Sequence, residues 1–191
     1  SATLESPPEC LSRGGRVVQS ELLDPALPRS LPYRAYIPPC AADRRGSLPV
    51  LFLLHGLART DSEWDDLGAD ELAQAWIAAG QVPPFLIVMP WERLGLDFEL
   101  AIVEHLIPHV EQIYGAIPDR AQRAIGGISR GGGWALRIGF KHPELFGAIG
   151  LHSPAVLVPD LFDLRDWIQP IAPADLPSIL IDMGERDPQR F

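Results

Sequence analysis

No apolar run in the 191-residue sequence approaches the roughly 18–20 residues needed to cross a bilayer, which excludes a membrane-spanning helix. Cysteine is scarce. The two present, Cys10 and Cys40, lie in no Cys-x-x-Cys pair, and two thiolates cannot build a structural zinc site alone. Basic charge is short as well: 16 Lys and Arg face 25 Asp and Glu, a formal net charge of −9. That balance excludes nucleic acid as the partner, because phosphate binding needs a basic face. No internal repeat or low-complexity tract is present; the 20 prolines and 17 glycines punctuate apolar segments. With 47% hydrophobic and 21% charged residues, the chain is neither disordered nor a coiled coil. What remains is one acidic globular domain, long enough to bury a sizeable core.

The sequence opens at Ser1 with neither an initiator Met nor an apolar signal core, and reads as a processed product whose targeting segment lies outside it. Residues 1–15 are polar and rich in Pro and Gly, an N-terminal lead or linker; residues 16–191 form the domain. Cys10 lies in that lead and Cys40 follows Pro38-Pro39. Two unrelated thiols fit these positions, and so does a Cys10–Cys40 disulfide pinning the lead to the domain. The disulfide is the reading taken, and with it a secreted or periplasmic location.

Apolar runs alternate with amphipathic stretches. Residues 16–22 and 31–37 read as a hairpin joined through Pro25 and Pro28. Residues 50–55 and 85–89 are short continuous apolar runs, as expected of strands buried on both faces. Residues 67–79 have helical spacing, and residues 98–114 place Leu100, Val103, Leu106, Ile107, Val110 and Ile113 on one helical face. Residues 123–127, 148–152 and 179–183 read as further strands and residues 131–142 as a helix. Strands alternating with helices predict an α/β fold around a mostly parallel sheet.

Gly127-Ile128-Ser129-Arg130-Gly131 is a G-x-S-x-G between a predicted strand and a predicted helix. A sharp strand-to-helix turn lifts a serine hydroxyl clear of the sheet, and glycines on either side leave room for the close approach. The helix N-terminus adds free N–H groups and a positive dipole. Phosphate motifs do not fit: a dinucleotide fingerprint needs Gly near Ser129, and a P-loop needs Lys-Ser/Thr after its last Gly. His55-Gly56-Leu57-Ala58 directly follows a strand. In a serine hydrolase such a loop donates one backbone N–H to the oxyanion and the residue after the serine donates the other, here Leu57 and Arg130. His55 itself reads as a strand-end histidine that shapes the loop. Asp187 follows Ser129 in the chain order Ser…Asp…His and is the candidate acid; Asp182 competes, and a turn-forming or capping aspartate is the plain alternative at either place.

On these residues the chain resembles the esterase D and enterochelin-esterase-like branch of the α/β-hydrolases. The resemblance runs through residues 50–56, 85–90, 104–114, 123–132, 141–146 and 184–187, and its His-Gly-Leu loop with Trp64 is also similar to that of mycolyltransferases. It implies an α/β-hydrolase fold acting on a small carboxylic ester, through an acyl-enzyme on Ser129 with Asp187 as the acid, and with no cofactor or metal. An acyltransferase using the same site is the alternative. Where the family often has Met after the serine, this chain has Arg130, which places a cation at the pocket floor or rim. The family's catalytic histidine, last strand and last helix lie beyond the acid, and the chain ends at Phe191. His105, His109 and His142 read as helix residues, so His152 is the internal substitute base. The domain is therefore expected to be C-terminally incomplete, completed by a further segment or by self-association at its open edge, or else to be a silent hydrolase-like binding module. Trp64, Trp91 and Trp167 are expected near the ligand edge of the sheet, as pocket or as core aromatics.

Overall fold

The computed structural model describes residues 14–187. Seven strands form one sheet: β1 (Arg16–Leu22), β2 (Leu31–Ile37), β3 (Val50–Leu54), β4 (Leu86–Pro90), β5 (Arg123–Ile128), β6 (Ala148–His152) and β7 (Ser178–Asp182). Their order is β1-β2-β4-β3-β5-β6-β7. The expected hairpin is present, with β1 antiparallel to β2 and β2 antiparallel to β4. All other pairings are parallel. The sheet is α/β and mostly parallel, as the alternation of runs requires.

The helices are α1 (Glu63–Asp66), α2 (Ala69–Ala78), α3 (Phe98–Leu100), α4 (Ile107–Tyr114), α5 (Arg130–Lys141) and α6 (Val158–Ile168). Between α3 and α4 the chain is a π-helix over Ala101–Leu106, so the helix read as continuous over residues 98–114 is interrupted. Pro108 in the first turn of α4 has no N–H to give the preceding turn, and a widened turn accommodates that loss. Helix α6 was not foreseen; its apolar positions are spaced too irregularly to announce it.

The two faces of the sheet are covered unequally. On one, Phe52, Ile125, Ile149 and Leu151 bury against Ala135, Ile138 and Phe140 of α5 and against Ile102, Leu106 and Val110 of the π segment and α4. On the other, Ala73 and Ile77 of α2 cover Tyr36, Leu53, Ile87 and Met89 of β2, β3 and β4. Over β6 that second face is half-exposed at Ala148, Gly150 and His152. Every residue of β7 is exposed.

The strand order reverses between β3 and β5, because β3 leads to β4 on one side and β4 leads to β5 on the other. In open α/β sheets the crevice at such a reversal, beyond the carboxyl ends of the strands, is where ligands bind. His55 leaves β3 and Ser129 leaves β5 at that crevice. Cys10 and most of the N-terminal lead fall outside the described residues, and so does the Cys10–Cys40 pairing. Gly15, at the lead's inner end, donates its N–H to Gln74 Oε1 at 2.5 Å.

Candidate active site

Ser129 sits between β5 and α5 at φ 53°, ψ −117°, a region that side chains beyond glycine rarely enter. Backbone hydrogen bonds hold it there: its N–H donates to the His152 carbonyl at 2.9 Å, and its carbonyl accepts from Gly133 at 3.1 Å and from Ala155 at 2.8 Å. The glycines of the motif are there for space. A Cβ on Gly131 would lie 2.1 Å from the Leu54 carbonyl oxygen, and one on Gly127 would lie 2.3 Å from the Gly131 carbonyl carbon. Strand β3 and the first turn of α5 thus meet backbone to backbone directly below the serine.

The loop after β3 is fixed from two directions. Glu92 N–H donates to His55 Nε2 at 2.9 Å, which makes Nε2 the unprotonated nitrogen. Nδ1–H then donates to the Gly56 carbonyl at 2.8 Å. His55 is buried and shapes the loop, as its strand-end position suggests. Gly56 N–H donates to Glu63 Oε2 at 2.6 Å, and Ala58 takes a left-handed φ of 61°. Between these pinned residues, Leu57 N–H has no hydrogen-bond partner among the described residues. Arg130 is the first residue of α5, so its N–H has no intrahelical acceptor.

Arg130 does not present a free cation. Its Nε and Nη2 donate to the two carboxylate oxygens of Glu92 at 2.7 and 2.5 Å, and its guanidinium lies 5.9 Å from the Trp134 ring centroid. The hydrogen bonds to Glu92 raise its already high pKa. The expectation of a positive pocket floor is corrected to a closed ion pair: Glu92, on the loop after β4, supplies the opposite charge. Nothing local in the sequence marks Glu92 or Glu63. The Arg130 partner of Glu92 lies across the fold and only the topology reveals it, whereas Glu63 reaches back to Gly56 and Arg59 nearby in the chain.

Of the histidines, His152 alone reaches the carboxyl edge near Ser129 together with an acid. Its Nδ1 lies 2.7 Å from Asp182 Oδ1, as register requires, since His152 and Asp182 are paired across β6 and β7. The Trp64 ring packs edge-on to it at 5.5 Å. The acid on His152 is thus Asp182. Asp187 lies in the following turn, with its N–H donated to the Gly184 carbonyl at 3.0 Å. Among the described residues no hydrogen bond joins Ser129 Oγ to His152. His105 pairs with Asp24 at 2.8 Å, His109 meets the Tyr33 hydroxyl at 2.9 Å, and His142 meets Glu99 at 3.0 Å; these three tie helices to the body of the fold.

Trp64 and Trp91 flank the carboxyl edge, Trp64 donating its Nε1–H to the Leu54 carbonyl at 3.0 Å. Trp167 does not. Helix α6 carries it back along α5, where Lys141 of the last α5 turn stands 5.9 Å from its ring. It lines a groove of about 820 Å³ with Phe140, Pro143 and Ile171, at the far end of α5 from Ser129. No cluster of three or more metal-ligating side chains occurs among the described residues. No described helix is long and apolar enough to cross a membrane.

Two unengaged N–H groups and a strained serine at the sheet's reversal point form a site suited to holding an acyl oxyanion. Known proteins share this architecture. A stretch of 152 residues, 73% of this chain, is 27% identical to an endo-1,4-beta-xylanase/feruloyl esterase of Xylanibacter ruminicola, and covers 20% of that protein. A stretch of 153 residues, 71% of this chain, is 30% identical to the esterase Rv1288 of Mycobacterium tuberculosis, and covers 30% of it. The chain therefore spans only a fifth to a third of the curated relatives it matches. Among solved structures, a ferulic acid esterase superposes with a TM-score of 0.71 at 23% identity, over 85% of this chain and 74% of that one. At that identity the likeness establishes the shared α/β-hydrolase fold. Residues 25–189 match the family described as "Putative esterase", and the chain belongs to that family.

Proposed function

We propose that the chain carries the nucleophile and oxyanion hole of a serine carboxylesterase. The observation that carries this reading is Ser129 at positive φ between β5 and α5, beside the unengaged N–H groups of Leu57 and Arg130. In this reading Ser129 Oγ attacks the ester carbonyl carbon and its proton passes to a histidine base. The carbonyl oxygen becomes an oxyanion that accepts hydrogen bonds from the Leu57 and Arg130 N–H groups, each donor worth about 3 kcal/mol. Collapse breaks the bond to the alcohol oxygen, the base returns its proton to the leaving alcohol, and an acyl-serine remains. Water repeats the sequence, releasing the acid and restoring Ser129.

Asp187 is the acid of this reading, orienting a histidine contributed from outside residues 1–191 by a further segment or a second chain. Where no such histidine is supplied, His152, with Asp182 on its Nδ1, is the substitute base, since that hydrogen bond leaves Nε2 as the proton acceptor. The substrate class proposed is a feruloyl ester. It is supported by the names of the relatives and by the aromatic Trp64 at the edge of the site.

The test is intact-mass analysis of the 21.0 kDa chain before and after a fluorophosphonate probe, with Ser129→Ala alongside. A single adduct that Ser129→Ala abolishes supports an activated serine. Hydrolysis of ethyl ferulate by the labelled-competent protein then tests the substrate class. A second reading, a hydrolase-like module without catalysis, is favoured by the absence of a Ser129–histidine hydrogen bond among the described residues. No adduct on the wild type, with none gained when the segment that carries the histidine is supplied, would decide for it.

A further inference from the structure

Glu92 makes three hydrogen bonds that converge on the two halves of the oxyanion hole. Its N–H fixes His55, which holds the Gly56 carbonyl and so the peptide that presents Leu57 N–H. Its carboxylate grips the Arg130 guanidinium through both oxygens, and Arg130 carries the second N–H. Resting on the reading above, we propose that Glu92 is a positioning residue that sets the spacing of the Leu57 and Arg130 donors. Three separate elements, the ends of β3 and β4 and the start of α5, are joined at this one residue, through its backbone N–H on one side and its carboxylate on the other.

The physical case rests on geometry and burial. Charge-assisted, two-pronged Arg–carboxylate pairs are the most directional side-chain links available. The Glu92 and Arg130 side chains are 17% and 31% exposed, so solvent screens the pair only partly. An oxyanion hole works by being preorganised, and loosening either donor by a fraction of an ångström removes stabilisation felt only in the transition state. Glu63 acts on one side alone, through Gly56 N–H; Glu92 spans both.

The experiment measures the second-order rate of fluorophosphonate labelling of Ser129 in the wild type, Glu92→Gln, Arg130→Met and the double variant. Glu92→Gln is expected to label about tenfold more slowly, and the double variant no more slowly than the slower single, because both substitutions break one link. Glu99→Gln, which removes an ion-pair hub elsewhere, is expected to lower thermal stability while leaving the labelling rate unchanged. Wild-type labelling in Glu92→Gln, or additive losses in the double variant, overturns the proposal while leaving the esterase reading intact. If the wild type takes no adduct, no base within residues 1–191 activates Ser129, and amide hydrogen exchange at residues 55–59 and 129–133 decides the positioning role. Faster exchange in both segments of Glu92→Gln supports it, and unchanged exchange overturns it.

Discussion

At the residue scale the site is built by what is missing from side chains as much as by what they carry. Gly131 has no Cβ because the Leu54 carbonyl occupies that space at 2.1 Å, and a backbone carbonyl of a central strand cannot step aside. Gly131→Ala is therefore expected to destabilise the fold by about 3 kcal/mol or more, above the usual range for overpacking. Gly150→Ala is the contrast: its Cβ would meet nothing nearer than 3.8 Å, and chemical denaturation should place it within about 0.5 kcal/mol of the wild type. Equal effects at the two positions would refute this account of the motif. The serine turn was legible in five residues because the motif is local, and steric rules need no partner to be read. Glu92 and Glu63 were not legible. Their meaning comes from contacts spanning 38 and 7 residues: Glu92 in its loop reads the same whether or not an arginine faces it, and Glu63 at the start of α1 reads as a plain first-turn acid.

At the element scale, patterning announced β3 and β4, because a run buried on both faces needs no knowledge of its neighbours; β1 and β2 showed as a hairpin, and β7 as an apolar run although its residues are exposed. The interruption at Ala101–Leu106 and helix α6 were hidden; the first depends on how Pro108 is absorbed, and the second has its irregular apolar positions completed by contacts with α5. Helices are tied together by Glu99 of α3, which accepts from Arg137 at 2.8 Å, Lys141 at 2.6 Å and His142 at 3.0 Å, all at the end of α5. Burial raises the Glu99 carboxyl pKa, but the hydrogen bonds from Lys141, His142 and Arg137 outweigh it and bring it to about 2 from an ordinary 4.5. A carboxyl depressed in the folded state adds stability above its unfolded pKa, and that stability is lost as pH falls towards the folded value. Glu99→Gln should therefore cost about 1–2 kcal/mol at pH 7, with the difference from the wild type shrinking between pH 4.5 and pH 2. Denaturation midpoints across that range check the sign; a difference that grows on acidification would refute it.

At the scale of the whole molecule, the unequal cover of the sheet leaves a strand through which copies of the chain are expected to meet. Among the described residues strand β7 pairs only with β6, and Ile179, Leu180 and Ile181 are 47%, 63% and 61% exposed. Side chains alternate across a strand, so apolar surface is open on both faces as well as along the edge, the arrangement that invites strand addition. The net charge of −9 opposes association of two copies. That repulsion is screened beyond about 8 Å at physiological ionic strength, whereas apolar burial is strengthened by salting-out ions. Self-association is thus expected to increase with protein concentration and with added sodium sulfate, read as a rising weight-average mass in sedimentation. Leu180→Lys places a cation on the open strand, a common way in which edges are kept from pairing. It should return the protein to monomer mass under the same conditions, with stability changed by no more than about 0.5 kcal/mol because the side chain packs against little. A wild type that stays monomeric in sulfate, or a Leu180→Lys variant that associates as strongly as the wild type, would remove β7 as the contact. The charge balance alone would then govern solubility.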